Sequence, residues 1–345
     1  MAQDNQGPLV LFYTAFFGRP PPFDTAGCSV PVRLTFDRSR LAEADIVIFH
    51  IPDAWEIGDA LKYAGQVWVA FSMEASAHYP LWTDPAFMRR FDLIMSHETA
   101  ADIWTPYLPP MRAWQAAVDR PLPAKTEFAP AVMFQSASVD RSRRNDFALE
   151  LMKAIRVDSY GRLLRNRDLA GPDLGRQTKL DTIARYHFCC AFENAISHGY
   201  VTEKIFDPLL SGTIPIYRGA PDVADFVPAG SYIDVSDFPS PIALADHLRR
   251  ILKDEEAYAR YFEWRMRPLP PFLADRLALV QEPALGRLAA IASSRIAPGS
   301  ERARGWPSLP FGLRRFLETR LRRLVRTHRQ RRSARRAIVS SGGTK

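Results

Sequence analysis

Residues 188–219, FCCAFENAISHGYVTEKIFDPLLSGTIPIYRG, constrain the fold of this chain more than any other stretch. Phe188 to Phe192 is an apolar run without Gly or Pro, as a buried strand requires. A polar loop, Glu193 to Gly199, leads to Val201-Thr202-Glu203-Lys204, which opens a helix. Ser211-Gly212 stops it, and Thr213 to Tyr217 reads as the next strand. Strand, loop, helix and strand make a parallel crossover, and in such sheets ligands collect where strands end and helices begin. Glu193, Asn194, Tyr200, Glu203 and Lys204 all fall on that edge. Singly, each reads equally as a helix cap or a surface ion pair; together, with an aromatic among them, they read as a binding site. Pro208 inside the helix predicts a kink or an early end.

The same alternation runs through the rest of the chain. Leu9 to Ala15 reads as a strand, followed by a Pro-rich loop from Gly18 to Phe23 that is too rigid to cradle phosphate. Cys28 to Phe36 alternates like a second strand, Asp37 to Arg40 opens a short helix, and Ala44 to His50 is a strong strand. A helix over 54–64 and a strand over 66–71 follow. The strand ends in Phe71-Ser72-Met73-Glu74, so Glu74 stands at a carboxyl strand end, where the cleft of a parallel sheet opens. A lone Glu after an apolar strand is usually a solvated loop carboxylate, and it is the position that makes this one a candidate. Phe91 to Met95 is another strand. Six prolines between 105 and 130 mark a domain boundary. Beyond it the pattern restarts, with a strand over 131–135, a helix over 144–155 and a strand-to-turn at Val157-Asp158-Ser159-Tyr160-Gly161. A helix over 178–185 precedes the crossover, and amphipathic helices over 241–252 and 255–266 follow it. Arg141, Arg143 and Arg144 crowd a strand-to-helix junction, where backbone amides already favour anions; a solvated basic face is the other reading. Two α/β halves around a Pro-rich connector predict two Rossmann-like domains facing a central cleft. That architecture suits a nucleotide-sugar transferase and other two-domain ligand binders alike.

Charge divides the chain unevenly. The net charge is +8, yet residues 302–345 hold 13 Arg and Lys345 against the single acid Glu318, which leaves the body at −5. In FGLRRFLETRLRRLVRTHRQRRSARR, apolar residues recur at three- and four-residue spacing with Arg on the other face. Such a basic amphipathic C-terminal helix reads as a membrane-surface binder through Phe316, Leu317, Arg320, Leu321, Arg323 and Leu324. Packing on the protein is the alternative. Nucleic acid fits poorly, since the tail lacks interleaved aromatics and the body is acidic. The first residues carry no basic n-region, no window reaches the roughly 20 apolar residues of a membrane span, and Cys28, Cys189 and Cys190 have no metal-ligand spacing. These features predict a reduced, cytoplasmic protein held peripherally at the cytoplasmic face of the membrane.

Phe192-Glu193-Asn194, then Tyr200-Val-Thr-Glu-Lys-Ile-Phe206, Ser211-Gly-Thr-Ile-Pro-Ile-Tyr217 and Gly219 resemble the long donor-domain signature of the α-1,3-fucosyltransferases, glycosyltransferase family 10. The runs DRSRLAEADIVIFH (37–50), FSMEAS (71–76), VDSYGR (157–162) and YFEWR (261–265) are similar in the same order, so the resemblance covers about residues 9–270. It implies a GT-B fold and inverting transfer of L-fucose from GDP-fucose to an acceptor sugar hydroxyl. The hydroxyl expected is that of N-acetylglucosamine in a lactosamine-type unit, linked α1,3. By position, Glu74 matches the family's general base and Arg144 an arginine that neutralises the diphosphate. Asn194, Tyr200, Glu203 and Lys204 match donor-binding positions, and Tyr160-Gly161 a turn near the nucleotide. Glu203, counted with Glu74 as catalytic, could face either the fucose or the ribose.

The expected domains are residues 1–124 for the acceptor, 125–275 for GDP-fucose, 276–305 as connector and closing helix, and 306–345 as the tail. No Asp-x-Asp occurs, so no cofactor is expected beyond the donor substrate, and a divalent metal is not indicated. The partners expected are GDP-fucose, an acceptor glycan or glycolipid and a membrane surface. The alternatives are the same fold acting on another nucleotide sugar, and a nucleotide-sugar-binding protein without turnover.

Overall fold

The computed structural model describes residues 7–58 and 60–294. Strands β1 (Leu9–Phe12), β2 (Arg33–Thr35), β3 (Ile46–His50), β4 (Val67–Ser72), β5 (Leu93–Ser96) and β6 (Ile103–Trp104) form one sheet, ordered β2-β1-β3-β4-β5-β6. Its pairings are parallel, with His50 opposite Phe71 and Ser72 opposite Ser96. Every residue of β1, β3 and β4 is buried, as continuous apolar runs in a doubly covered parallel sheet must be. Helix α1 (Pro85–Met88) is a single turn between β4 and β5, and α2 (Met111–Asp119) follows β6.

The second sheet holds β7 (Ala131–Met133), β8 (Val157–Ser159), β9 (Phe188–Phe192), β10 (Ile214–Arg218) and β11 (Ile233–Asp234), parallel and ordered β11-β10-β9-β7-β8. Helices α3 (Arg144–Ala154), α4 (Arg176–Ala184), α5 (Glu203–Leu210), α6 (Pro241–Ile251) and α7 (Glu255–Arg260) belong to this half. The central unit forms as its residues dictate. β9 is wholly buried, Thr202 caps α5, and α5 stops two residues beyond Pro208, where Gly212 turns the chain at φ +69°.

Helices α8 (Pro271–Leu279) and α9 (Ala284–Ser293) then lead back to the first half. Leu285, Leu288 and Ala292 of α9 join the core made by Val10, Ile48 and Val69, and the Arg287 guanidinium donates to the Trp104 carbonyl at 2.8 Å. The chain therefore begins and ends, within the described residues, on the same sheet.

Several expectations fail for local reasons. The helix over 54–64 does not form. A 3-10 helix, Ile51–Glu56, stands there instead, because Asp53 leaves helical geometry and Gly58 sits at φ +56°. Only Arg33–Thr35 of the stretch 28–36 pairs as strand. The Pro-rich connector, read from the sequence only as a domain boundary, contains α2, whose Trp114 is fully buried against Phe206 and Trp264. Pro109-Pro110 stands at the helix start, where a missing N–H costs nothing, so the prolines here initiate rather than break. The helix over 255–266 divides into α7 and a 3-10 turn, Glu263–Met266. The tail and the membrane-facing residues expected in it lie outside the described residues.

Candidate active site

The carboxyl ends of the two sheets face one cavity of about 590 Å³. Glu74 arrives from the loop after β4, and Arg144, Tyr160, Gly161, Asn194, Tyr200, Glu203 and Lys204 arrive from the second half. The two halves touch inside it: the Tyr200 hydroxyl donates to Glu74 Oε2 at 3.3 Å. Ala75, Ala195 and Tyr200 share one small apolar cluster with Tyr107 packed against it. The loop holding Glu74 is closed locally by Ser72, whose Oγ accepts from the Glu74 amide at 3.0 Å.

Glu193 is placed differently from its neighbours. It does not line the cavity; its carboxylate is fully buried beneath it. There it accepts from the Thr202 amide (2.8 Å), the Thr202 hydroxyl (2.8 Å to Oε1) and Lys204 Nζ (2.9 Å). Gly219 lets the carboxylate lie so deep, because a Cβ there would stand 2.6 Å from Glu193 Cγ. Burial pushes the Glu193 carboxyl above its usual range, against the pull of Lys204. Burial works against the charge on Lys204 too, but Glu193 and Glu203 outweigh it and hold that ammonium's pKa above the ordinary lysine value. Burial likewise opposes ionisation of Glu203, while Lys204 and Lys179 reverse the sign and keep it below the usual carboxylate range. Lys204 is thus a fixed cation and Glu203 a fixed anion at the mouth of α5.

Arg144 is the unbalanced charge. It is 2% exposed, and its guanidinium donates only to carbonyls, Phe192 O at 2.9 Å and Ala137 O at 3.2 Å. Nε is buried without a partner, and Arg144 makes no ion pair among the described residues. Asp140 and Glu193 act on this buried cation only through space, and a buried guanidinium with no carboxylate in direct contact is costly, so the site favours negative charge from outside. The start of α3 adds to this, although Asp140 occupies its first free amides, those of Arg144 and Asn145.

At the other end of the cavity Tyr160 lies flat on Phe134, centroids 5.2 Å apart and planes at 11°. Its hydroxyl meets that of Tyr186 at 2.9 Å, and Tyr186 donates to Asp158. Gly161 is obligatory, since any Cβ would stand 2.1 Å from the Gln135 carbonyl oxygen.

Sequence reading overlooked three contributors. Arg176 and Lys179, on α4, line the cavity and converge on the buried carboxylate of Asp207 at 2.6 and 2.8 Å. Two cations opening a helix beside the central strand were the available signal. Tyr107, hidden in the connector, also lines the cavity and donates to the Met73 carbonyl at 2.7 Å, one residue before Glu74. Nothing in its local sequence marks it.

His97 directly follows β5 and meets the Tyr200 ring in a T-shaped contact, 5.1 Å between rings, with neither ring nitrogen partnered. Burial pulls its pKa down to about 4. The folded state therefore binds fewer protons than the unfolded chain between about pH 6.5 and 4, and stability falls as pH falls through that window. The loss expected is on the order of 3 kcal/mol, and denaturant titrations of His97→Phe should lack this part of the acid dependence.

The halves match known sequence families separately. Residues 5–108 match "Fucosyltransferase, N-terminal", and residues 122–279 match "Glycosyltransferase family 10 (fucosyltransferase) C-term". Over 272 residues the chain is 32% identical to human 4-galactosyl-N-acetylglucosaminide 3-alpha-L-fucosyltransferase FUT6, covering 75% of this chain and 73% of that protein. It is 40% identical over 150 residues to human GDP-fucose protein O-fucosyltransferase 3, covering 41% of this chain and 31% of the relative. Among solved structures, an α1,3-fucosyltransferase with GDP superposes with a TM-score of 0.56 at 17% identity, covering 85% of this chain and 92% of that one. The same enzyme class with GDP-fucose gives 0.54, over 88% and 94%. The shared fold is GT-B-like, two parallel-sheet α/β domains about a cleft. Related along both halves, the chain is a glycosyltransferase and belongs to family 10, the α-1,3-fucosyltransferases.

Proposed function

We propose that the enzyme transfers L-fucose from GDP-fucose, with inversion, to a hydroxyl of an acceptor glycan, namely N-acetylglucosamine of a lactosamine-type unit in α1,3 linkage. One observation carries this reading: a carboxylate from one half, Glu74, and cations from the other, Arg144 and Lys204, line the same cavity. Its size is that of a nucleotide-sugar site. The acceptor oxygen attacks the anomeric carbon as Glu74 takes its proton. The bond from that carbon to the diphosphate oxygen breaks, and GDP leaves with the electron pair. Arg144 supplies the missing counter-charge, and Lys204, pinned by Glu193, faces the developing anion without having to reorganise. Glu203 stays ionised and opposes the positive charge that builds on the sugar ring. The Phe134–Tyr160 pair offers an aromatic surface to the nucleotide.

The two relatives differ by name in acceptor, a galactosyl-N-acetylglucosaminide for one and a protein for the other. The former matches over far more of its length, which favours a glycan. The test is an acceptor array with labelled GDP-fucose, GDP-mannose and UDP-galactose, followed by linkage analysis of the product. GDP release that needs both GDP-fucose and a glycan supports the reading; turnover confined to another donor overturns it. No cofactor enters the proposed steps, so the array should read the same in excess EDTA.

Tyr107 is a positioning residue in this scheme. Tyr107→Phe keeps the ring but frees the Met73 carbonyl, and turnover should fall about tenfold, the worth of one well-placed hydrogen bond. Affinity for GDP-fucose should stay as in wild type, which separates the effect from a general loss of structure.

Among the described residues no helix is long and apolar enough to cross a membrane. We place the enzyme peripherally at the cytoplasmic face, held by the arginine-rich tail through Phe316, Leu317, Arg320, Leu321, Arg323 and Leu324. About 1 kcal/mol per engaged basic residue would hold it on anionic lipid. Truncation after residue 305 should abolish co-sedimentation with phosphatidylserine vesicles and leave turnover on soluble acceptors unchanged.

A further inference from the structure

The second half carries another cavity, apart from the transfer site. It measures about 720 Å³ and shares no lining residue with the one that holds Glu74. Its rings come from separate elements: Tyr232 precedes β11, His247 belongs to α6, and Tyr261 and Trp264 follow α7. Pro228, Pro268 and Pro270 complete the wall.

These rings are held from behind. Tyr232 meets buried Tyr217 nearly at right angles, 6.1 Å between centroids, and Trp264 meets buried Trp114 in the same way at 5.9 Å. The Tyr261 hydroxyl lies 3.3 Å from His247 Nε2. Rings fixed like this lose little freedom when a ligand is laid on them. Tyr232 and Tyr261 are half-buried, so each offers an apolar face and a polar tip. The charges at the rim are balanced, Arg260 paired with Glu256 at 2.7 Å and Arg267 with Glu263 at 2.8 Å. Aromatic and proline rings inside a neutral rim do not suit a phosphate or a metal. They suit a proline-rich peptide, because a polyproline II strand has no internal hydrogen bonds and docks against aromatic-lined grooves.

The chain itself supplies such a peptide beyond the described residues, Arg304-Gly305-Trp306-Pro307-Ser308-Leu309-Pro310. Pro307 and Pro310 are one polyproline II turn apart, and Arg304 stands one turn before Pro307. The segment can reach the cavity. Between Pro270 and Ser294 lie α8 and α9, each about 15 Å long, and a short link, so these two residues are at most about 45 Å apart. Extended, the chain from Ser294 to Pro307 spans about the same distance, and any bend between the two helices shortens the gap.

We propose that residues 304–310 dock in this cavity of their own chain, with Pro307 and Pro310 against Tyr232 and Tyr261 and Arg304 at Glu263 in place of Arg267. A surface ion pair is worth about 1 kcal/mol at most, so that exchange costs little. Helix α9 packs on the first sheet and the cavity lies on the second half, so the docked segment straps one half to the other. It also fixes where the arginine-rich run leaves the body of the protein.

The test titrates a fluorescent peptide of residues 302–312 into two full-length proteins, wild type and Pro307→Ala/Pro310→Ala, and follows anisotropy. A tethered segment has an effective concentration on the order of 1 mM, so one that binds at about 100 µM occupies its cavity about nine-tenths of the time. The peptide should therefore bind the double variant at about 100 µM and wild type about tenfold more weakly. Adding Tyr261→Ala to the double variant should abolish binding, while turnover on soluble acceptors stays at the wild-type value and shows that the fold is intact. The comparison of wild type with the double variant stands even where Tyr261→Ala fails to fold. No binding to the double variant, or equal binding to both proteins, overturns the proposal. So do wild-type dimers that form with rising concentration and vanish in the double variant, since they would put the segment in a second copy of the chain.

Discussion

Glu74→Gln should lower the rate of fucosyl transfer about 10³-fold, the usual worth of a positioned general base. Its affinity for GDP-fucose should stay within about twofold of wild type, since amide and carboxylate occupy the same volume and the donor's charge is met from the other half. The Tyr200 hydroxyl, which donates to Glu74 Oε2, can still donate to the amide oxygen, so the two halves keep their contact. Radiolabelled transfer and calorimetric titration of the same preparation check both parts. Glutamine at this position tests proton removal and little else.

Lys204→Ala should be damaging in two separable ways. The Lys204 ammonium bridges Glu193 and the Thr202 hydroxyl at 2.9 Å each and lies 3.6 Å from Glu203. Without it Glu193 remains fully buried with only the Thr202 amide and hydroxyl as partners. Breaking a buried pair from one side costs about 3–5 kcal/mol. The sign of its pH dependence follows from Glu193, whose carboxyl burial already raises above its usual range. With Lys204 gone it rises further, so the folded state holds a proton that the unfolded chain releases above about pH 4.3. The variant should therefore be least stable near neutral pH and recover in mild acid, as denaturant melts across pH 5–8 would show. Turnover should fall about 10²–10³-fold with the loss of one charge at the leaving group. Pairing Lys204→Met with Glu193→Gln removes the stranded carboxylate, and it should restore the melts without restoring turnover.

How much of this was legible beforehand depended on whether the signal was local. Buried parallel strands are apolar runs, so β3, β4, β9 and β10 were readable to within two residues. The cap at Thr202 and the stop at Gly212 bracket α5 in the sequence itself. Because those elements set the strand edges, most of the second-half site could be read from one stretch. Glu193 shows the limit of that approach. Asn194 beside it lines the cavity, while Glu193 turns beneath because Gly219, 26 positions away, leaves room for it. Tyr107 and Trp114 were invisible for a similar reason, since each is fixed by partners from distant segments, and prolines at a helix start look like breakers. Arg144 was readable as a residue near an anion; that it makes no direct ion pair among the described residues is a property only the packed structure has.

The claim that the halves divide the work, proton removal on one side and charge neutralisation on the other, reduces to a single calorimetric measurement of GDP affinity. Wild type, Glu74→Gln and Arg144→Met would be titrated under one set of conditions, Met being close to the volume of the buried arginine chain. The account predicts equal affinity for wild type and Glu74→Gln and a loss of tenfold or more (about 1.4 kcal/mol or more) for Arg144→Met. Undiminished GDP binding in Arg144→Met, or an equal loss in Glu74→Gln, would contradict it.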